Sequence, residues 1–387
     1  MKDVFVTDSI RYVGVDDRTI DLFESQYKVP NGVSYNSYVI LDDKVAVMDT
    51  VDRRATEAWL EKLEGALQGR RPDYLVVHHM EPDHAANIQT LAERYPSMQI
   101  VGNAKTFTMM QRFFTFDLSG RTVEVKEGST LSLGSHTLTF VMAPMVHWPE
   151  AMVSYESSEK ILFSADGFGK FGALDADEPW EDEARRYYLN IVGKYGAQVQ
   201  ALLKKAAALD IAMICPLHGP VLKENLGHYI GLYDKWSRYE PEIEGVFLAY
   251  ASIHGNTAQA ARFMAGELER RGVPVKCADV SRADMAQCVA DAFTYSRMIC
   301  AASSYDGGLF PPMEDFLHHL RAKTYRNRKV AIVENGTWAP SAGKVMGEIL
   351  GAMKDVAICE KQVTIPSAVK VPTEAALREL LDALLAM

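Results

Sequence analysis

The chain has no Cys-x-x-Cys pair in its 387 residues, and its five cysteines, Cys215, Cys277, Cys288, Cys300 and Cys359, are widely scattered. Cysteine-ligated iron–sulfur clusters and rubredoxin-type iron sites need close pairs, so neither is expected within this sequence. An odd, dispersed set suits reduced thiols in a reducing compartment. No apolar run approaches the ~20 residues that span a bilayer. Residues 1–8 carry charges where a secretory leader needs an apolar stretch. A cytoplasmic protein without a membrane partner is therefore expected. Excess positive charge is missing as well. The net charge of −10 argues against a nucleic-acid partner. There is no low-complexity tract and no internal repeat. What is present is ordinary for a globular protein: 48% hydrophobic and 24% charged residues, in a chain long enough for two or three domains.

The first part mixes strands and helices. Residues 33–41 and 44–49 alternate in polarity around Asp42-Asp43, which predicts a hairpin. Helical spacing follows over 53–67, and a short apolar run at 74–77 ends in His78-His79. Residues 85–94 read as helix, 121–164 as short strands with glycine turns, and 181–209 as helix broken near Gly193 or Gly196. A strand at 211–214 runs into Pro216-Leu217-His218-Gly219. The polar Glu240-Pro241-Glu242 marks a boundary, giving domains 1–245 and 246–387. Beyond it the pattern is regular. Strands are predicted at 246–250, 275–279, 297–301, 329–333 and 355–359, and helices at 257–271, 282–292, 312–322, 342–353 and 373–386. Such alternation implies a doubly wound parallel sheet.

The densest chemistry lies in His79-Met80-Glu81-Pro82-Asp83-His84, directly after a buried strand. In an extended loop His79, Glu81 and Asp83 turn towards one point. Desolvating carboxylates and imidazoles together is costly unless a cation compensates. The bland alternative is an acidic loop with Asp83 capping the next helix. The rest of the chain weighs against it. His147, Asp166 and His218 each end a strand, as site residues on layered folds do. His78 is adjacent to His79 in extended chain and should point away. His136, His318 and His319 have no motif around them.

Three loops after strands of the second half carry a different signal. Ser252-Ile253-His254-Gly255-Asn256-Thr257 opens a helix, and a helix N-terminus presents N–H groups to a phosphate. Ser303-Ser304-Tyr305-Asp306-Gly307 and Asn335-Gly336-Thr337-Trp338 combine glycine, hydroxyl or amide groups and an aromatic ring. Glycine lets the backbone approach a flat ring system, on which Tyr305 or Trp338 can stack. Singly, the first loop is an ordinary N-cap by Asn256 or Thr257, and each of the others is an ordinary turn with a packing aromatic.

The metal residues resemble the His-x-His-x-Asp-His motif of the metallo-β-lactamase superfamily, with Glu81 in place of the second His. A carboxylate there makes the site harder and more anionic, which favours iron over zinc. The His-x-Glu-x-Asp-His variant, followed by His147 and Asp166, resembles the flavodiiron family. Residues 246–387 resemble flavodoxin, with His254 replacing the first Thr of the usual phosphate loop. Asn31 to Tyr38 and His147-Trp148-Pro149 also resemble family segments.

The resemblance implies a metallo-β-lactamase-like αββα domain and a flavodoxin-like α/β domain. It implies FMN and two non-haem iron ions. One iron takes His79, Glu81 and His147; the other takes Asp83, His218 and His84; Asp166 bridges them. In some members the residue matching His84 swings away. The interval from Asp166 to the last ligand is shorter here than in relatives, and spacing alone points to His228. The strand-end His-Gly turn points to His218. The implied activity is reduction of O2 to water or NO to N2O, with electrons from a separate rubredoxin through FMN. A head-to-tail homodimer or dimer of dimers is implied too. The alternatives are a zinc hydrolase with a flavodoxin-like appendage and a non-catalytic electron carrier.

Overall fold

The computed structural model describes residues 4–387. Residues 1–3 of the charged opening segment lie outside the described residues. The chain folds as two compact units, residues 1–188 with 197–234, and residues 189–196 with 235–387.

Beside two small two-stranded sheets, the first unit is built on a pair of large ones. One has seven strands, in the order Val4–Phe5, Ile10–Tyr12, Tyr38–Ile40, Ala46–Met48, Tyr74–Val76, Gln99–Gly102 and Thr122–Glu124. The other has five: Thr130–Ser132, Thr137–Met142, Met152–Glu156, Ile161–Phe163 and Met213–Cys215. Apolar side chains of both fill one core, with Ile10, Ile40, Met48 and Val76 meeting Phe140, Met152, Ile161 and Phe163. The predicted hairpin is present, because Tyr38–Ile40 pairs antiparallel with Ala46–Met48. Helix Thr56–Leu67 shows how the outer layer attaches. Trp59, Leu63 and Leu67 recur every four residues and are all buried. Each such burial stabilises by about 1.5–3 kcal/mol. Gln68 then turns left-handed and ends the helix. Strand Gln99–Gly102 and helix Ala104–Phe113 occupy a stretch with no sequence assignment.

The hairpin turn is tied to the other sheet by His136. Asp42 Oδ2 accepts from the His136 main chain at 2.6 Å and from its ring Nδ1 at 2.8 Å. Nε2 lies 3.0 Å from Ser9 Oγ and 3.2 Å from Glu159 Oε1. Burial works against the imidazolium, but the hydrogen bonds with Asp42 and Glu159 raise the His136 pKa. Asp42 is held at about 2, below its ordinary 3.8, because the hydrogen bonds from His136 outweigh desolvation. A raised histidine contributes below its unfolded value of ~6.5, and the contribution is lost as pH rises through the folded value. A depressed aspartate contributes above its ordinary value and loses it as pH falls towards the folded one. The pair therefore stabilises most between about pH 4 and 6.5. His136→Gln should cost about 1–2 kcal/mol at pH 5 and less at pH 9. Urea midpoints of both proteins at the two pH values check this; an equal deficit at both rules out the charged pair.

The second unit carries five parallel strands in the order Val275–Asp279, Ile243–Ala251, Tyr295–Tyr305, Arg328–Asn335 and Val356–Ile358. The last predicted strand is supplemented by Val363–Ile365, which pairs with the far end of Arg328–Asn335. Helix Asn256–Arg270 packs Ala260, Ala261, Met264 and Leu268 onto the apolar run of Val246 and Leu248. The order places the carboxyl ends of the three central strands side by side, and their loops with them.

Candidate metal centre and flavin cavity

Strand Tyr74–Val76 delivers the first ligand candidates into the core. The His78 amide donates to Asp49 Oδ1 at 2.8 Å, its Nδ1 meets Asp49 Oδ2, and its Nε2 lies 2.8 Å from Ser154 Oγ. His78 is thus occupied elsewhere, and His79 faces the opposite way. The Met80 amide donates to Glu150 Oε1 at 2.8 Å. The chain does not stay extended, as the alternating pattern had suggested. Pro82–Ala85 forms one helical turn, with Pro82 at its start, where a missing N–H costs nothing. Thr50 secures that turn by donating from its hydroxyl to the His84 carbonyl at 2.6 Å. Asp83 and His84 therefore turn to a different point from His79 and Glu81.

Two groups result. His79, Glu81, His147 and Asp166 converge in one, and Asp83, His84 and His218 in the other. Asp166 faces both. Its Oδ2 is 2.9 Å from His79 Nε2 and 3.2 Å from His147 Nε2. Its Oδ1 is 3.7 Å from Nε2 of both His84 and His218. Glu81 Oε2 lies 2.8 Å from His147 Nε2, and Asp83 Oδ2 lies 3.1 Å from His218 Nε2. The structure brings all seven predicted residues together. It leaves out His228, whose half-exposed ring pairs with Glu181 Oε1 at 2.9 Å on the surface.

His218 is fully buried and braced by residues of the 31–38 segment together with Phe23 and Tyr187, which no sequence motif marked. Its Nδ1 donates to the Ser34 carbonyl at 2.7 Å, which leaves Nε2 to face the cluster. Asn36 Nδ2 donates to the carbonyls of Pro216 and Gly219, both at 2.8 Å, and Tyr38 to Pro216 at 2.7 Å. The rings of Phe23 and Tyr187 stand 5.3 and 5.4 Å from the imidazole. A cavity of about 350 Å³ reaches the site past Tyr35, Arg54, Glu81 and Asp83. Glu24 also lines it, its pKa raised to about 7 by burial and by Glu81.

These donors fit metal ions. Both ring nitrogens of His79 and both carboxylate oxygens of Asp83 and Asp166 are buried without a hydrogen-bond partner. Each such group costs about 1–3 kcal/mol unless something compensates. The two Nε2 atoms of His84 and His218 stand 3.0 Å apart, sharing an approach that a cation satisfies. Burial favours neutral His147, yet the nearby Asp166 and Glu81 raise its pKa to about 10. Three carboxylates among four imidazoles draw in positive charge, as protons or as metal.

The second unit holds a cavity of about 580 Å³ at its strand ends, within the range of cofactor sites. Every residue predicted from the three loops lines it except Gly255, and Ala339 and Ser367 join them. Gly255 caps the helix in a left-handed conformation instead. Ser304 turns its hydroxyl towards the amides of Ser341 and Ala342, at 2.8 and 3.1 Å, holding the next helix start. Trp338 is 90% exposed at the rim, with Tyr305 and Ile253 partly so. A helix N-terminus at one end and bare aromatic surface at the other suit a phosphate joined to a flat ring.

Comparison with known proteins places this geometry. The profile described as "ODP family beta lactamase" matches residues 33–219. A nitric oxide reductase of Moorella thermoacetica is 28% identical over 372 residues, covering 94% of this chain and 93% of that protein. Diflavin flavoprotein A 1 of Synechocystis sp. is 31% identical over 272 residues, covering 68% of this chain and 47% of that protein, so the chain spans about half its length. The structure of rubredoxin oxygen:oxidoreductase from Desulfovibrio gigas superposes with a TM-score of 0.93 at 25% identity, over 100% of this chain and 98% of that one. The flavodiiron protein of Giardia intestinalis shares the fold, with a TM-score of 0.93 at 23% identity over 100% and 96% of the two chains.

Proposed function

The chain belongs to the flavodiiron family, and on that premise we propose that it reduces O2 to water or NO to N2O. The observation that carries this reading is Asp166, one carboxylate facing both groups of ligand candidates. His79, Glu81 and His147 would hold one iron, Asp83, His84 and His218 the other, with Asp166 between them. The three loops of the second unit would hold FMN. When bound, the iron pair and flavin supply the redox chemistry, passing electrons to the diatomic substrate.

The chain's own residues keep the site in register. Asp166 sets the separation of the two groups, and Ser34 and Asn36 hold the His218 loop. Phe23, Tyr187 and Tyr35 shield the imidazoles from bulk water. Relatives with rubredoxin in their names support a rubredoxin-type donor. The cysteines are all unpaired, which supports a reducing compartment such as the cytoplasm. Among the described residues no helix is long and apolar enough to cross a membrane. We assign the working form as a head-to-tail homodimer or dimer of dimers, in which a second copy covers the exposed rim at Trp338. Glu81 in place of a third-position histidine counts against the zinc hydrolase.

The test is gas consumption by the anaerobically purified, iron- and FMN-loaded protein with reduced rubredoxin, for O2 and NO separately. Turnover of either supports the assignment and the faster gas names the substrate. Failure with both gases overturns it.

A further inference from the structure

A third cavity, of about 30 Å³, adjoins the turn that carries Asp166. Ser164, Gly167 and Phe168 of that turn line it, as does Val146, the neighbour of His147. The remaining wall is aliphatic apart from Tyr233. Its polar groups are already engaged: Ser164 Oγ donates to the Gly167 carbonyl, and the Phe168 amide donates to the Tyr233 hydroxyl, both at 2.6 Å. Phe168 stacks on Tyr233, with centroids 4.3 Å apart.

Size and chemistry together select the occupant. One water needs roughly 10–15 Å³ on this measure, so there is room for more than one atom. A water also needs two to four polar partners, and this wall has none to spare. An apolar cavity of this kind stays dry and takes up small apolar molecules or xenon. Nothing charged is accommodated. Burial is graded along it. Val146, Val153, Leu162 and Phe168 at the inner end are buried. Leu202, Leu203, Ala206 and Leu209, on and just beyond helix Gly196–Ala206, are only half-buried. The mouth thus lies under a surface helix, and the floor lies against the chain neighbours of two metal-ligand candidates.

We propose that this cavity is a docking site for a small apolar diatomic gas on its way to the metal centre. Resting on the reductase reading, the gas is O2 or NO. Both are small and neutral, and both partition from water into apolar surroundings. The route is separate from the polar cavity lined by Arg54 and Glu81, which suits protons and water better than gas.

Xenon tests the site without any turnover. Crystals of the iron- and FMN-loaded protein, pressurised with xenon, should show a xenon atom between Val153, Leu162 and Phe168. Ala206→Phe, at the half-buried mouth, should remove that atom. It should also raise the KM for the gas by about threefold or more with kcat and iron content unchanged, as loss of a docking step does. Leu202→Phe is the second variant, and should behave alike. Ordered water in the cavity, or xenon bound elsewhere but not here, overturns the proposal. So does an unchanged KM in a variant that has lost its xenon. Xenon bound here in a protein that consumes neither gas overturns the reductase reading and leaves the gas site standing.

Discussion

Asp166→Ala is expected to empty both metal positions and to lower gas consumption at least 100-fold, while FMN stays bound. Removing a partner that merely orients a metal ligand costs about 10–100-fold in affinity or activity. Asp166 does more, because among the described residues it faces both groups, with Oδ2 2.9 Å from His79 and Oδ1 3.7 Å from His218. Without it the two groups lose the shared anion that offsets two cations, and four imidazoles remain with Glu81 and Asp83 alone. Burial opposes the Asp166 charge, yet His79 and His147 hold its carboxyl well below the usual range. The site is therefore built around that anion. Every residue lining the cavity proposed for flavin lies in the second unit, so flavin content should not change. Iron per chain and flavin absorbance, measured on the same preparation, decide it. Two irons and full turnover in Asp166→Ala would remove the bridge from the mechanism.

His218→Ala should lose the iron of its group and reduce turnover by about 100-fold or more, whereas His228→Ala should match the parent protein. Spacing along the chain points to His228, and the difference between the two residues is one of environment. His218 is sealed by Phe23, Tyr35 and Tyr187, its Nδ1 committed to Ser34 and its Nε2 3.1 Å from Asp83. His228 sits on helix Leu226–Ser237 in an exposed pair with Glu181, and exposed pairs contribute about 0–1 kcal/mol. Truncating a buried imidazole also opens a void and leaves Asp83 with His84 alone, so the first variant should unfold at lower temperature as well. Iron analysis of both variants separates the readings: loss in His228→Ala with retention in His218→Ala would reverse the assignment.

Much of the site was legible because its residues follow strands. A buried apolar run cannot carry a charge, so chemistry collects where such a run ends, as at His79 after Tyr74–Val76 and His218 after Met213–Cys215. The three glycine-bearing loops were legible for the same reason, since parallel strands bring their carboxyl ends together. The helical turn at Pro82–Ala85 was missed because alternation over four residues does not distinguish an extended loop from one turn with a proline start. Ser34 was marked only as part of the 31–38 segment, with no role, and Thr50 and Glu150 carried no signal. They act through a carbonyl, a hydroxyl and a carboxylate that reach loops far along the chain.

Local pattern determined the element types, the doubly wound second half and the seven ligand candidates. These depend on periodicity, on strand ends and on residue chemistry, all of which act within a few positions. Tertiary structure alone decided that residues 189–196 join the second unit, that Gly255 caps rather than lines, and that Asp166 shows one oxygen to each group. It alone made an apolar cavity from Val146, Phe168 and Leu202. Those outcomes depend on which distant side chains fill the same few ångströms, and close packing settles that only when the whole chain has folded.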